Sequence, residues 1–174
     1  MMNRPILLLT LGCLVFAGFA CGTPETPTTG TTPTGTTTPA SPTSPAKTLS
    51  AFNVEWLSHQ IPSEMQAAKS YRATITLKNT TTATWPTKGD PPGPVFVSYH
   101  WLPAQGDQPV VFDGERTAFP HDITPGEVIT LDKVAVLAPP NPGSYRLQVS
   151  LVQEGITWFD TQGVPSLTVP VTVR

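Results

Sequence analysis

Asp113, Glu115, His121 and Asp122 form the cluster in this chain whose side chains carry metal-ligand chemistry. Two acidic loop positions supply oxygen donors of the kind that hold Ca²⁺. They lack the regular ligand spacing of an aspartate-rich loop, and Pro120 before His121 marks an ordinary turn, so no metal is expected. Asp113-Gly114 reads instead as a hairpin turn, with Arg116 pairing a nearby carboxylate for up to about 1 kcal/mol if exposed. Glu154 and Asp160 flank a further turn signal and have the residue types of a glycosidase pair, but the chain is too small to wrap a sugar cleft around them. His59, His100 and His121 fall on separate segments, and the sequence has no Gly-x-Ser-x-Gly elbow. The chain is therefore not expected to be an enzyme, and no cofactor is expected.

The tryptophans offer a different chemistry. Trp85, Trp101 and Trp158 have the ring area to stack on a sugar or to line a pocket for an apolar peptide side chain. Trp101 shares a strand face with Val95, Val97 and Tyr99, which predicts a core position. Trp85 lies between Thr84 and Pro86, where the chain leaves a strand, and is predicted to plug one end of the fold. Trp158 and Phe159 follow a turn at Glu154-Gly155. Adjacent strand residues face opposite ways, so at most one of the two enters the core and the other is exposed or covered by a loop. Trp158, Phe159 and Trp85 are thus the candidate binding surface, with loop packing as the competing assignment.

The elements that must position these residues are strands. Phe52, Val54 and Trp56 alternate with polar residues, and Tyr71, Ala73, Ile75 and Leu77 alternate with Arg72, Thr74, Thr76 and Lys78. Val95 to Trp101 alternates again, with Phe96, Ser98 and His100 on the second face. Val128–Val136, Tyr145–Leu151 and Leu167–Val173 complete the set. Turn signals separate the runs, at Asn79–Thr82, Gly89–Gly93, Gln105–Asp107, Pro125–Glu127 and Asn141–Gly143. About seven short strands spaced this way predict an all-β, immunoglobulin-like antiparallel β-sandwich over residues 49–174. A short helical turn near Ser63–Ala68 is the one departure considered.

Upstream, Arg4 precedes an apolar run from Ile6 to Ala20 that ends in the small residues Gly18 and Ala20 before Cys21. This segment resembles a bacterial lipoprotein signal peptide, with Phe19 and Gly18 departing from the usual residues before the cysteine. The resemblance implies that residues 1–20 are removed and that Cys21 is acylated. Cys13 is a competing site that leaves a very short apolar region; an uncleaved anchor or plain secretion after Ala20 are the other outcomes. Several acyl chains hold a protein stably on a bilayer, since each buried methylene contributes about 0.8 kcal/mol. The chain has 2 cysteines, both within this segment, so the folded part has no disulfide and no cysteine zinc site. Residues 21–48 form a linker in which Thr and Pro supply about two-thirds of the positions after Cys21. It is predicted to be disordered, spanning roughly 30 Å as coil and roughly 80 Å if extended. A net charge of −2 argues against a nucleic-acid partner.

Several stretches carry a second resemblance: Tyr71–Thr80 followed by Thr84-Trp85-Pro86, Val97–Trp101, Asp113–Thr117, Ile123–Glu127, Pro142–Tyr145 and Leu151–Phe159. In this order they resemble bacterial immunoglobulin-like domains related to the four-tryptophan domain of selective autophagy receptors. The resemblance implies a binding or spacer module and names neither activity nor ligand. The expectation is a cell-envelope lipoprotein, attached to the membrane by its lipid and facing outward. Its domain binds a protein or acts as a scaffold; the alternatives are recognition of a cell-wall or extracellular polysaccharide and pure spacing.

Overall fold

The computed structural model describes residues 48–89 and 93–174. The signal segment 1–20, Cys21 and the linker through residue 47 lie outside the described residues. Among the described residues no helix is long and apolar enough to cross a membrane.

The chain forms β1 (Val54–Gln60), β2 (Glu64–Met65), β3 (Ser70–Asn79), β4 (Val95–Pro103), β5 (Thr117–Ala118), β6 (Val128–Leu137), β7 (Gly143–Gln153), β8 (Thr157–Trp158) and β9 (Leu167–Val173). The smaller sheet runs β1-β3-β6; the larger runs β2-β9-β7-β4-β5, with β8 also paired to β7. The two pack as an all-β sandwich, the architecture expected of immunoglobulin-like domains. All neighbours are antiparallel except β2 and β9. Between β1 and β2 the chain changes sheets at Ile61-Pro62, where proline has no N–H to lend to either ladder.

Strand β3 shows how residue order sets the layers. Ala73, Ile75 and Leu77 are buried between the sheets, while Arg72, Thr74, Thr76 and Lys78 turn outward. Thr76 sits opposite Thr130 on β6, and their hydroxyls are 2.9 Å apart. Strand β4 differs, because both of its faces are covered from Val95 to Leu102 apart from half-buried Phe96.

Inside the sandwich the aromatics form two groups. Phe52, Trp85, Phe119 and Phe159 meet with ring centroids 5.0–5.9 Å apart. Tyr99, Trp101 and Tyr145 make the other group, with Trp101 6.4 Å from Tyr99 and 6.0 Å from Tyr145. Burial raises the pKa of the Tyr99 phenol, against the opposing effect of its bond to the Leu137 N–H. Asn79, fully buried, ties down the loop that carries Trp85. Its Nδ2 donates to Ala83 O and Ile123 O, both at 2.9 Å, and its Oδ1 accepts from the N–H and hydroxyl of Thr81.

The helical turn considered at Ser63–Ala68 is not formed. Strand β2 occupies its start, and Arg174 N–H donates to Met65 O while Ala67 N–H donates to Arg174 O. Pairing with β9 thus takes the backbone groups a helix needs, and Ala68 turns away at φ 55°. The helical turn that does form among the described residues is a 3-10 turn at Asp160–Gln162, closed by Gly163 at φ 81°.

Candidate functional site

The outer face of the larger sheet holds the most elaborate side-chain arrangement. Alternation on β4 and β7 points Ser98 and His100 outward from one strand and Gln148, Ser150 and Val152 from the next. Small serines in the middle leave room for rings and a carboxylate above them. The β7–β8 hairpin, turned by Gly155 at φ 74°, then folds back so that Trp158 lies opposite Val152.

The next residue, Phe159, points the other way and is fully buried in the core. Trp158 is covered by the rings and chain above it and keeps 8 % of its exposure. Its ring centroid is 4.1 Å from His100 and 5.7 Å from Phe112, with the Arg116 guanidinium carbon 5.1 Å from its centroid. Trp85 is fully buried as well. The three aromatics expected as a binding surface are therefore packed, because each fills space between or above sheets that would otherwise be empty. The alternation argument for the Trp158-Phe159 pair holds, with the loop as the cover.

His100 stands at the centre of this layer. Its ring stacks on Phe112 at 4.6 Å, its Nδ1 contacts Phe112 O, and its Nε2 lies 3.2 Å from Asp160 Oδ2. The Nε2 approach to Asp160 is close but lacks the geometry of a directed hydrogen bond. Asp160 also accepts from Ser150 Oγ (3.2 Å) and Gln148 Nε2 (3.3 Å). Burial works to raise its pKa, but the His100 ring, Ser150 and the backbone outweigh it and hold the carboxyl below the usual aspartate range. Ser150, His100 and Asp160 have the inventory of a nucleophile triad without its wiring. The hydroxyl bonds to the carboxylate, and the imidazole faces a backbone carbonyl, so no base nitrogen is placed on the serine.

The segment over this layer is held by backbone bonds. Trp101 N–H donates to Val111 O (2.8 Å), and Val110 N–H donates to Trp101 O (2.7 Å). Val111 packs toward the core, so its neighbours Val110 and Phe112 face outward and are exposed, Phe112 at 52 %. Gly114 closes the segment down on β4, its N–H donating to Tyr99 O. A Cβ at Gly114 would sit 2.6 Å from Tyr99 O and 2.7 Å from the Tyr99 ring. Asp113-Gly114 is thus a point of close backbone approach rather than the hairpin turn expected.

Arg116 does pair with carboxylates, contacting Asp113 and bonding Glu154 through Nε at 3.1 Å. Burial pulls its pKa down, but the two acids outweigh this and raise it. The guanidinium also donates to Gly114 O at 2.9 Å. Its side chain is 26 % exposed against 66 % for Asp113. Arg146 repeats the arrangement, donating to Pro103 O and Gly106 O, and is 34 % exposed against 91 % for its partner Asp107. Both pairs therefore turn the anion toward water and the cation toward the backbone.

Three of the four residues named for metal binding, all but Glu115, are engaged elsewhere. Asp113 serves Arg116; Asp122 accepts from Thr87, whose hydroxyl and N–H hold its pKa down; His121 bonds Glu127 at 2.7 Å. Among the described residues no group of three or more His, Cys, Asp or Glu is arranged to hold a metal. Glu154 and Asp160, weighed as a glycosidase pair, are likewise claimed by Arg116 and by the His100 layer. At the far end of the same face a shallow depression of about 520 Å³ is lined by Ser63, Glu64, Ser144, Tyr145, Arg146 and Thr172, among others. Phe112 was missed from sequence because it stands alone between Val111 and Asp113; the mixed second face of β4 was the available signal.

No protein-family model and no curated protein matches the chain. Among solved structures it is similar to part of a beta-glucosidase from Listeria innocua in complex with glucose, at 14 % identity and TM-score 0.42, covering 71 % of this chain and 16 % of that one. It is similar to part of the b-glucosidase EmGH1 from Erythrobacter marinus at 11 % identity and TM-score 0.37, covering 70 % and 15 %. The third is E. coli alpha-2-macroglobulin, at 17 % identity and TM-score 0.33, covering 70 % and 6 %. The chain spans less than a fifth of each of these proteins, and overlaps this distant carry no statement about activity.

Proposed function

We propose that this chain is a non-catalytic protein-binding or scaffolding module, held in the cell envelope and facing outside the cytoplasm by a lipid on Cys21. The observation that carries the binding reading is the exposure of Val110 and Phe112 on a segment pinned to β4 by backbone hydrogen bonds. Apolar groups fixed in place before binding lose little freedom when a partner covers them, which favours a protein contact. The wiring of Ser150 on Asp160 supports a role without catalysis. Recognition of a polysaccharide is the second reading, and the hydroxyl-lined depression at Ser63, Ser144 and Thr172 favours it. Packing of Trp158 and Trp85 weighs against it, since neither offers a ring to a sugar.

A photocrosslinking amino acid at Val110 should trap discrete protein partners in intact cells, while the same probe at Thr76 should not. Identical patterns at the two positions, or trapping of glycan alone, would remove the protein-binding reading. Labelling with a radioactive fatty acid should be lost in Cys21→Ala; labelling that persists would move the anchor off Cys21, and a wild type that takes up no label would remove the anchor.

A further inference from the structure

Building on the protein-binding reading, we infer that the outer face of the larger sheet docks a cationic protein segment that also carries apolar side chains. Val110, Phe112 and Ile156 are exposed apolar groups on this face, and Ile156 stands in the same turn as Glu154. Trp158, two residues on, is in ring contact with Phe112. Around them the charges are sorted by depth. Asp107, Asp113 and Glu154 reach into solvent, while their partners Arg146 and Arg116 are drawn down onto backbone carbonyls. A partner approaching this face therefore meets carboxylates first, although each is formally paired.

That arrangement selects by sign. A lysine- or arginine-rich segment gains attraction from the rim and can lay its apolar side chains on Val110 and Phe112. An acidic segment is repelled before those contacts form. The recessed arginines keep the rim anchored, because Arg116 is bonded to Gly114 O and packed on Trp158 and so does not swing out to neutralise a ligand. The opposite face of the domain mixes Arg72, Lys78 and Lys133 with Glu55 and Asp132, so exposed carboxylates standing in front of recessed arginines are described on this face alone.

The test is a titration of the isotope-labelled full chain, followed by NMR, with three extended peptides. One alternates lysine and leucine, one lysine and serine, one glutamate and leucine. The lysine–leucine peptide should shift residues 110–116 and 154–158, and bind about tenfold more tightly than either control. Its affinity should weaken as salt is raised. Val110→Ser, an exposed residue with no ring contact, should weaken binding about fivefold. The double variant Asp113→Asn, Glu154→Gln should weaken it by a similar factor and flatten the salt dependence. Equal binding of the lysine–serine peptide, equal binding of the glutamate–leucine peptide, or no shift at these residues would overturn the inference. So would concentration-dependent shifts of the same residues without peptide, which would make a second copy the occupant. Protein partners trapped at Val110 that lack basic segments would sink this inference and leave the protein-binding reading standing.

Discussion

The outer faces of the two sheets are built from similar strands and end in opposite conditions. On the smaller sheet, Arg72, Thr76, Lys78 and Thr130 meet water directly, and the Thr76–Thr130 hydroxyl pair is the most specific contact described there. On the larger sheet, His100, Ser150 and Trp158 are buried under a second layer that brings Asp160, Phe112 and Arg116 over them. The first face is left bare because most of its side chains are polar or charged, with Val128 and Leu137 exposed among them. The second has a mixed polar and aromatic floor that would be costly either bare or under apolar cover, and a matched polar network meets the need. A sandwich with one finished face and one roofed face has a natural place to vary its contacts.

Four substitutions break or sharpen that contrast. Phe159→Ala removes the ring shared by both sheets and should cost about 3–5 kcal/mol in denaturant unfolding. A loss near 1 kcal/mol would mean that the roofed face is not anchored through the core. Gly114→Ala drives a methyl into Tyr99 and should cost about 2–3 kcal/mol, with faster amide exchange over residues 104–116 and unchanged exchange in β3. Uniform exchange changes would show the cover and the sandwich to be one unit.

Asp160→Asn should cost about 1–2 kcal/mol at neutral pH. Because the folded pKa of Asp160 is depressed from its ordinary 3.8, its contribution is full above the unfolded value and is lost as pH falls through the lower folded value. Stability of the wild type should therefore fall as pH drops from about 5 to below 4, and the variant should lose part of that slope. An identical acid profile would place the dependence on other carboxylates such as Asp122. Thr76→Ala, on the bare face, should change stability by about 0.5 kcal/mol or less; a larger loss would erase the contrast.

The long strands were legible because their period-two pattern is a direct consequence of one buried face, as β3 shows in Ala73, Ile75 and Leu77. The hairpin at Gly155 and the opposite facing of Trp158 and Phe159 followed from local geometry alone. The site was much less legible. His100 and Asp160 lie far apart in sequence and meet through the back-folded β7–β8 hairpin, which no local pattern encodes. Residue type alone offers Trp85, Trp158 and Phe159 as a surface, and type does not report whether a loop covers a ring; for Trp85 the position beside Pro86 already points to the plug that the structure shows. Gly114 has the residue type of a turn, whereas its role depends on Tyr99, a residue on β4.

The short parallel pair β2–β9 has a mechanical consequence. Thr172 N–H donates to Ser63 O, Arg174 N–H to Met65 O and Ala67 N–H to Arg174 O, at 2.8–2.9 Å. Tension that draws the two ends of the domain apart slides these strands lengthwise, so the three bonds share the load and yield together. Single-molecule stretching should record one abrupt rupture; gradual yielding from low force would contradict it. If the domain is tethered and docked as proposed, such a clasp would let the connection bear a pull without unravelling.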